Sequence, residues 1–247
     1  MEDRIGGKIM FKWEVLTNRF FRKDESMKEP QRWFGQFDPP LDQVLYNRYF
    51  FRYNRAGTYI ECGAFDGIID STCYFFENTL KWNGLNIEAY PDLFKRLAEN
   101  RPNSKNVFGA LSSSTGHSKF THAVHPVHGN NFGNGSLAHT DVHMASLKQQ
   151  NCELIEVEVP TTTYQDLIKK YGLKKIDLFV LDVEGHEVSI LETLTINDVL
   201  PLVFCIETGH VDSRAVTNIL ELLGYRYDGG SYVNSFFLHE KYNYFGD

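Results

Sequence analysis

The stretch Thr58–Thr72, TYIECGAFDGIIDST, predicts a β-strand, a glycine loop and the start of a helix. Its first five residues are mostly β-branched, aromatic or apolar and run into a glycine, which is typical of a short buried strand. Gly63 and Gly67 allow the backbone to turn sharply and to approach a ligand closely. Ser71 or Thr72 can cap the following helix, so we expect its free N–H groups to point at the loop. The stretch therefore predicts a ligand site at the edge of an open α/β sheet.

The glycine spacing and the nearby acids favour one class of ligand. A dinucleotide-binding loop needs Gly-x-Gly-x-x-Gly so that its backbone can pack against a pyrophosphate, and Gly63 and Gly67 do not have that spacing. The carboxylates of Glu61 and Asp66 would repel a pyrophosphate, but they suit the cationic amine and sulfonium of S-adenosylmethionine. An ordinary strand, turn and helix with surface acids is the alternative interpretation.

Strands and helices alternate outside this stretch. The later strands are predicted in GLNIEAY, NVFGALS, IDLFVLD and LVFCIE, and the helices in PDLFKRLAEN, GHEVSILETL and SRAVTNILELLG. The tail, GYRYDGGSYVNSFFLH, predicts two strands joined by a Gly-Gly turn. This order predicts an α/β fold with a doubly wound parallel sheet that ends in an antiparallel strand pair.

The N-terminal residues are predicted to form a short helical extension, 1–54, ahead of a domain at 55–247. The run KIMFKWEVLTNRFFRK has an apolar side that could pack on the domain, on a second subunit of a homodimer or on a membrane surface. Asp38-Pro39-Pro40 is a break, and LDQVLYNRYFFR predicts another helix before the first strand.

The composition limits the classes of partner and compartment. The chain has 247 residues, 42% of them hydrophobic, and a net charge of −7, which argues against a nucleic-acid-binding surface. The four cysteines are scattered without a C-x-x-C pair, as expected of reduced thiols in a cytoplasmic protein. No apolar run is long enough for stable membrane insertion, and the N-terminus lacks the apolar core of a signal peptide.

Acidic residues follow three of the predicted strands. Ligands of such sheets lie beyond the carboxyl ends of the strands. Glu61 and Asp66 mark the first strand end, Glu88 the second and Asp182 the fourth. Glu88 stands where a carboxylate would bind the two ribose hydroxyls of an adenosine. Acids at three strand ends of one sheet indicate a single ligand site.

Four segments resemble the FkbM family of S-adenosylmethionine-dependent methyltransferases. They are TYIECGAFDGIIDST, NIEAYPDLFKRL, IDLFVLDVEGHEVSILETL with its DVEG motif, and NSFFL near the C-terminus. The similarity runs from about Gln36 to Leu238. The chain departs from the family pattern at Glu61, commonly an aspartate, at Phe65, often polar, and at His186, usually small and apolar.

The resemblance implies a seven-stranded, Rossmann-like class I methyltransferase sheet and O-methylation of a hydroxyl. The acceptor is most often a sugar or sugar-like molecule of polysaccharide (capsule, O-antigen) or natural-product biosynthesis, nucleotide-linked or polymeric. A non-carbohydrate hydroxyl is the alternative, and a nicotinamide-dependent oxidoreductase is disfavoured by the glycine spacing. The cofactor-binding residues implied by the resemblance are Glu61, Gly63, Ala64, Phe65, Asp66, Gly67, Ser71, Thr72, Glu88, Ala89, Ser112 and Asp182.

Methylation of an alcohol requires a base or a Lewis acid to help remove its proton. The candidates for this role are Asp182, Glu184, His186 and His210, which follow the fourth and fifth strands. Asp182 together with Glu207 would suit Mg²⁺, because both offer oxygen ligands. The alternative is that Asp182 and Glu184 cap the next helix and order its loop.

The segment Gly116–His143 holds six histidines among glycines and asparagines. We expect a long glycine-rich loop that covers the acceptor site as a lid, with imidazoles and amides facing acceptor hydroxyls. A zinc site within the segment is the alternative, although its spacing matches no closed zinc site.

Overall fold

The computed structural model describes residues 33–246. The strands are β1 Thr58–Cys62, β2 Asn83–Glu88, β3 Lys105–Phe108, β4 Ala110–Leu111, β5 Gly116–Val124, β6 Gly135–Ser136, β7 Glu153–Thr162, β8 Leu178–Leu181, β9 Val203–Glu207, β10 Tyr225–Ser231 and β11 Asn234–His239. The helices are α1 Leu41–Leu45, continued by a π-helical turn at Tyr46–Phe50, α2 Tyr74–Asn78, α3 Pro91–Asn100, α4 Asp141–Gln149, α5 Tyr164–Tyr171, α6 Glu187–Leu191 and α7 Ser213–Leu222. The predicted amphipathic helix within residues 1–32 lies outside the described residues.

The main sheet has seven strands in the order β10-β11-β9-β8-β1-β2-β3. The pairs β3/β2, β2/β1, β1/β8 and β8/β9 are parallel, and β11 is antiparallel to both β9 and β10. The order reverses between β1 and β8, so the carboxyl ends of these two strands flank the crevice where ligands of open α/β sheets bind. The predicted α/β sheet with an antiparallel C-terminal pair is confirmed.

Apolar side chains cover both faces of this sheet. On one face, Phe179 and Phe204 pack with residues of α5, α6 and α7 such as Leu167 and Leu220. On the other face, the π-helical turn and α2 pack onto the sheet and contribute Phe50, Phe75 and Phe76. Burial on both faces explains why IDLFVLD and LVFCIE are nearly continuous apolar runs. The central strands are thereby fixed, and the site residues stand at their ends.

A second sheet of four strands, in the order β4-β7-β5-β6, lies beyond β3 in the chain. Gly109, at φ +135°, separates β3 from β4, and a Cβ there would lie 2.5 Å from the carbonyl oxygen of Pro160. The predicted single strand NVFGALS is therefore split between the two sheets. The strands β5 and β7 pair antiparallel over Gly116–Val124 and Glu153–Thr162.

The prediction that Gly116–His143 is one long loop is wrong. Its first nine residues form β5, a short stretch forms β6, and its end enters α4, which was not predicted. Phe120 and His122, two positions apart in β5, are both buried, so the sequence holds a strand pattern beneath its glycines and histidines. The irregular parts of the segment are residues 125–134 and 137–140.

The turn between the two C-terminal strands also differs from its prediction. The C-terminal strands are joined at Tyr232 and Val233, with Tyr232 at φ +53°, whereas Gly229 and Gly230 lie within β10 at a bulge. Glycine in a strand commonly marks a bulge, and this use looks the same in sequence as a hairpin turn.

Within residues 33–246, no helix has the length and apolar character that crossing a membrane requires.

Candidate functional site

A cavity of about 380 Å³ opens at the carboxyl ends of β1, β2 and β8. This volume lies in the usual range for small-molecule sites. The predicted site residues that line it are Glu61, Gly63, Ala64, Phe65, Ser71, Thr72, Glu88, Ala89, Asp182, Glu184 and His186. The predicted residues absent from its lining are Asp66, Gly67, Ser112, Glu207 and His210.

The glycine loop is held against the end of β8. Gly63 adopts φ +83°, and a Cβ there would lie 2.0 Å from the carbonyl oxygen of Asp182. Both the conformation and the contact exclude a side chain at this position. The N–H groups of Gly63 and Ala64 donate to the carbonyl oxygen of Ile87, which ties the loop to β2 as well. The loop and Asp182 therefore form adjoining walls of one cavity.

The carboxylate of Glu61 belongs to a buried charge network that the sequence did not predict. Arg101, whose side chain is fully buried, donates to Glu61 at 2.9 Å and also pairs with Glu77. The Glu61 carboxylate further accepts from the Ser71 hydroxyl and from the Cys73 N–H, each at 3.0 Å. The cluster Glu61, Arg101, Glu77 and Ser71, with Tyr59 behind it, thus forms a charge-paired base to the glycine loop.

Helix α2 is shorter than predicted and does not aim free N–H groups at the loop. It begins only at Tyr74, and the Tyr74 N–H donates to the Ser71 hydroxyl at 3.1 Å. The Cys73 N–H donates to Glu61. The expectation that free N–H groups of this helix point at the loop is therefore wrong. Asp66 lies behind the loop, where it accepts from the N–H groups of Ile68 and Ile69 and pairs with Arg96 at 2.6 Å.

Glu88 presents a buried carboxylate at the end of β2. One oxygen accepts from the Phe65 N–H at 2.9 Å and the other from the Tyr90 N–H at 2.7 Å. Burial raises the pKa of Glu88 to about 7, despite these two hydrogen bonds. An ionised carboxylate has about four acceptor positions, so two remain for hydroxyl donors in the cavity.

A tight turn after β8 carries the acids of the DVEG motif. Glu184 has φ +57° and Gly185 φ +109°, and the carboxylate of Glu187 accepts from the N–H groups of Val183 and Gly185 at 2.9 and 3.0 Å. Glu187, rather than Asp182 or Glu184, therefore orders this loop. The Asp182 carboxylate accepts no hydrogen bond from the described residues and lines the cavity.

Three of the four predicted catalytic residues line the cavity, and the fourth, His210, does not. The Nε2 atom of His186 lies 3.2 Å from the Ser112 hydroxyl, so His186 connects the DVEG turn to the second sheet. The Nε2 atom of His210 lies 3.3 Å from Oε2 of Glu184 and reaches the cavity only through that carboxylate. Burial lowers the pKa of both histidines, which makes the neutral imidazole the favoured form in each.

Carboxyl groups crowd this end of the cavity. Burial, followed by the charges of Glu187 and Glu61, raises the pKa of Asp182 to about 7. Burial and the charges of Asp182 and Glu187 raise the pKa of Glu207 to about 8. Among residues 33–246, the metal-competent cluster consists of His143, Glu184 and His210. The structure does not support Mg²⁺ at Asp182 and Glu207, since neither belongs to that cluster.

Strand β5 and the segment after it supply the remaining wall. The cavity is lined there by His122, His128, Asn131, Phe132, Gly133, Asn134, Gly135 and Leu137. The Ser136 hydroxyl donates to the carbonyl oxygen of Val183 at 3.0 Å, so β6 is attached to the DVEG turn. Imidazole, amide and aromatic groups of the predicted lid segment thus face the cavity. Of its six histidines, only His143 contributes to the metal-competent cluster.

Comparison with known proteins identifies the family. Residues 61–227 match the model of the methyltransferase FkbM domain, which is more than half of the chain. A search of curated proteins finds no match. The chain therefore belongs to the FkbM methyltransferase family, as the motifs predicted.

Solved structures resemble the chain only distantly. A methyltransferase FkbM from Methylobacillus flagellatus KT is 12% identical, with a TM-score of 0.44 over 74% of this chain and 44% of that one. The chain thus spans less than half the length of that protein. Fibrillarin from Aeropyrum pernix, with natively bound S-adenosyl-L-methionine, is 8% identical, with a TM-score of 0.39 over 79% of this chain and 71% of that one. A Methanococcus jannaschii fibrillarin pre-rRNA processing protein is 13% identical, with a TM-score of 0.39 over 75% and 67%.

Proposed function

We propose that this member of the FkbM methyltransferase family methylates a hydroxyl of a sugar-like acceptor and uses S-adenosylmethionine as its methyl donor. The observation that carries the proposal is the single cavity in which the Gly63 loop, the Glu88 carboxylate and the hydrogen-bond-free carboxylate of Asp182 all meet. The first two features suit an adenosyl group and the third suits a proton acceptor. Each assignment can be tested separately.

The end of the cavity near β1 and β2 fits the methyl donor. Glu88 has two acceptor positions left after binding the Phe65 and Tyr90 N–H groups, which matches the two hydroxyls of a ribose. Ala89, Leu93 and Leu111 provide apolar wall beside it for a flat base. When bound, S-adenosylmethionine supplies an electrophilic methyl group attached to a sulfonium. The Gly63 loop would lie under its methionine part, because the backbone there has no side chain in the way.

Asp182 is the residue that we assign as general base. Its carboxylate lines the cavity, touches the glycine loop through its own backbone and accepts no hydrogen bond from the described residues. An acceptor hydroxyl that lies against it would give its proton to the carboxylate as its oxygen takes the methyl group from the sulfonium. The sulfur would leave as a neutral thioether and the acceptor as a methyl ether. Asp182 thereby balances the charge that develops on the acceptor oxygen.

The wall formed by residues 128–137 favours a polyhydroxylated acceptor. Asn131 and Asn134 offer amide groups, His128 offers an imidazole, and Phe132 offers a ring face. Hydroxyls donate to and accept from amides, whereas the apolar face of a sugar ring packs on aromatic rings. The acceptor can be free, polymeric or nucleotide-linked, which is a matter for the assay rather than for the fold.

The test measures methyl transfer and cofactor binding in parallel. Purified protein is incubated with S-adenosylmethionine and a panel of nucleotide sugars, oligosaccharides and non-carbohydrate alcohols, and methylated products are detected by mass spectrometry. Asp182→Asn keeps the shape of the side chain, so we expect turnover to fall about 10²–10⁴-fold while the calorimetric affinity for S-adenosylmethionine changes little.

Three outcomes would contradict parts of this assignment. Turnover of Asp182→Asn within a few-fold of wild type would remove Asp182 from the base role. Methylation confined to non-carbohydrate alcohols would overturn the sugar assignment but leave the reaction type intact. Failure of the wild-type protein to bind S-adenosylmethionine or its demethylated product would overturn the cofactor assignment and the function with it.

A further inference from the structure

Three side chains from different parts of the chain meet beside the cavity. His143 comes from α4, Glu184 from the turn after β8, and His210 from the loop after β9; we call them the His-Glu-His cluster. Oε2 of Glu184 lies 3.3 Å from Nε2 of His210 and 3.7 Å from Nδ1 of His143. One ligand atom from each residue lies within 4.8 Å of the other two. The cluster thus joins the predicted lid segment to two strand ends.

The hydrogen bonds around His143 determine which of its nitrogens carries the proton. Asn134 donates its amide N–H to the carbonyl oxygen of Phe132, so its amide oxygen is the atom that faces His143, 2.9 Å from Nε2. Nε2 must therefore be the protonated nitrogen and the donor. In the neutral ring, Nδ1 then carries a lone pair.

That lone pair has no partner. Nδ1 of His143 and Oε2 of Glu184 are both buried without a hydrogen-bond donor, and the His143 side chain is only 2% exposed. Two acceptors that face each other in a buried site are unfavourable unless a proton or a metal cation lies between them. An imidazole whose second nitrogen donates to an oxygen acceptor is also the usual arrangement of a metal-bound histidine.

The spacing fits a tetrahedral ion. Ligand atoms held about 2.0–2.1 Å from such an ion stand about 3.3–3.4 Å from one another, close to the two distances measured from Glu184. We propose that the His-Glu-His cluster binds a divalent transition-metal ion, with Zn²⁺ as the best match to two imidazoles and one carboxylate. Three protein ligands leave a fourth position open to water or another small ligand.

Binding requires one small rearrangement. The rings of His143 and His210 are stacked at 3.7 Å with an interplanar angle of 6°, and parallel rings cannot both point a lone pair at one ion. His143 is fixed by Asn134, whereas the His210 side chain is 31% exposed. The ion would therefore rotate His210 out of the stack. It would also fasten α4 to the ends of β8 and β9, which makes the lid segment part of a rigid cavity wall.

The negative surroundings favour the same conclusion. Asp182, Glu187 and Glu207 are the acidic neighbours of Glu184, and no lysine or arginine pairs with any of these four in the described residues. A bound dication would relieve their mutual repulsion. This inference goes beyond the proposed methylation and does not depend on it, because metal binding is measured on the protein alone.

The experiment uses the untagged full chain after chelation and removal of the chelator. Zn²⁺ and Co²⁺ are titrated by calorimetry, the bound ion is counted by elemental analysis, and the visible spectrum of the Co²⁺ form reports the coordination number. We expect one ion per chain and a tetrahedral Co²⁺ spectrum. His143→Ala and Glu184→Gln should each weaken binding by at least about 100-fold, since each removes a ligand.

Matched variants separate coordination from general effects of substitution. His117→Ala removes an exposed histidine of β5 and should leave the affinity unchanged. Asn134→Leu keeps all three ligands but removes the acceptor for His143, so we expect binding about 10–100-fold weaker. His210→Gln, at a half-exposed position, provides a ligand deletion that should not disturb folding. Circular dichroism of each variant checks that the protein is folded.

Two results would overturn the proposal. The first is a wild-type protein that binds neither Zn²⁺ nor Co²⁺ at one ion per chain. The second is stoichiometric binding that persists with wild-type affinity in folded His210→Gln and His143→Ala. Since neither readout involves methyl transfer, a protein that binds metal but lacks methyltransferase activity would refute the proposed function and leave this inference standing.

Discussion

The two ends of the cavity both contain buried carboxylates, but these stand in opposite electrostatic situations. At the glycine-loop end, formed around Glu61, Gly63 and Arg101, the buried guanidinium of Arg101 pairs with Glu61 at 2.9 Å. At the histidine end, formed around the His-Glu-His cluster, one oxygen each of Glu184 and Glu207 is buried without a hydrogen-bond donor. The buried carboxylate at the first end is already paired with a cation in the folded protein. Those at the second end have oxygens that gain a partner only when a ligand binds.

This difference indicates which end of the cavity contributes to stability and which to ligand binding. A buried carboxylate that is paired and hydrogen-bonded holds its surroundings in one arrangement, and breaking the pair exposes a large desolvation penalty. A buried carboxylate without donors costs free energy in the folded protein, and such groups cluster at sites that bind cations or move protons. We therefore expect substitutions at the glycine-loop end to lower stability and substitutions at the histidine end to alter ligand binding or turnover.

The largest expected effect follows from breaking the paired end. Arg101→Met preserves most of the apolar stem but leaves Glu61 buried without its counter-charge, so the free energy of unfolding should fall by about 3–5 kcal/mol. Urea denaturation followed by circular dichroism measures the change. The cavity should lose its shape as well, because Glu61 also accepts the Ser71 hydroxyl and the Cys73 N–H that order the loop.

Arg96→Met is the matched control for this prediction. Arg96 pairs with Asp66 at 2.6 Å, but its side chain is 37% exposed, and Asp66 keeps two backbone N–H donors without it. The expected loss is about 1 kcal/mol or less. Equal losses in the two arginine variants would show that burial of the pair does not dominate, and the comparison of the two ends would lose its basis.

The sequence predicted the sheet better than the site. Continuous apolar runs such as IDLFVLD identify buried parallel strands by themselves, and Pro91 at a helix start together with an apolar stripe located α3 at its observed bounds. Three acids predicted at strand ends, Glu61, Glu88 and Asp182, line the cavity, whereas Asp66 does not. These signals come from residues that are neighbours in the chain, so they can be recognised in a single sequence.

The contacts that decide the chemistry are not local. Arg101 ends a surface-like helix sequence, PDLFKRLAENR, yet it reaches under β1 to Glu61, forty positions earlier in the chain. His143 and His210 were singled out within separate segments, but only the fold brings α4 beside the loops that follow β8 and β9. No rule based on the spacing of residues in one sequence predicts a contact between residues so far apart in the chain. The histidine-rich composition of residues 116–143 was the available signal, and it did not identify the carboxylate partner.

The next prediction concerns the proton on Glu88. Burial raises its pKa to about 7 in the free protein, and hydroxyl donors from a ribose favour the ionised form. Affinity for S-adenosylmethionine should therefore rise with pH up to about 7 and level off above it, by at most about 10-fold per pH unit. Calorimetry between about pH 5.5 and pH 8 measures the slope.

Glu88→Gln supplies the control, because the ligand's own titration is identical in both experiments. The difference between wild type and variant should depend on pH only below about 7 and should be constant above it. A wild-type slope equal to that of Glu88→Gln would mean that Glu88 does not bind the ligand as an ionised carboxylate. Such a result would weaken the cofactor assignment while leaving the charge network around Arg101 untouched.

The smallest expected effect tests the unpaired end itself. Burial and the charges of Asp182 and Glu187 raise the pKa of Glu207 to about 8, whereas an unfolded chain has a glutamate pKa near ~4.3. Between these two values the folded protein binds a proton that the unfolded chain has released, so its stability falls as pH rises through this window.

Glu207→Gln is neutral at every pH and keeps an oxygen that can accept the Gly209 N–H. In metal-free protein, the variant should match wild type near pH 4 and become progressively more stable than wild type as pH rises toward 8. Thermal denaturation at a series of pH values measures this difference. A variant that is less stable than wild type by the same amount at every pH would show that the Glu207 carboxylate is satisfied in the folded protein, and the two ends of the cavity would then be alike.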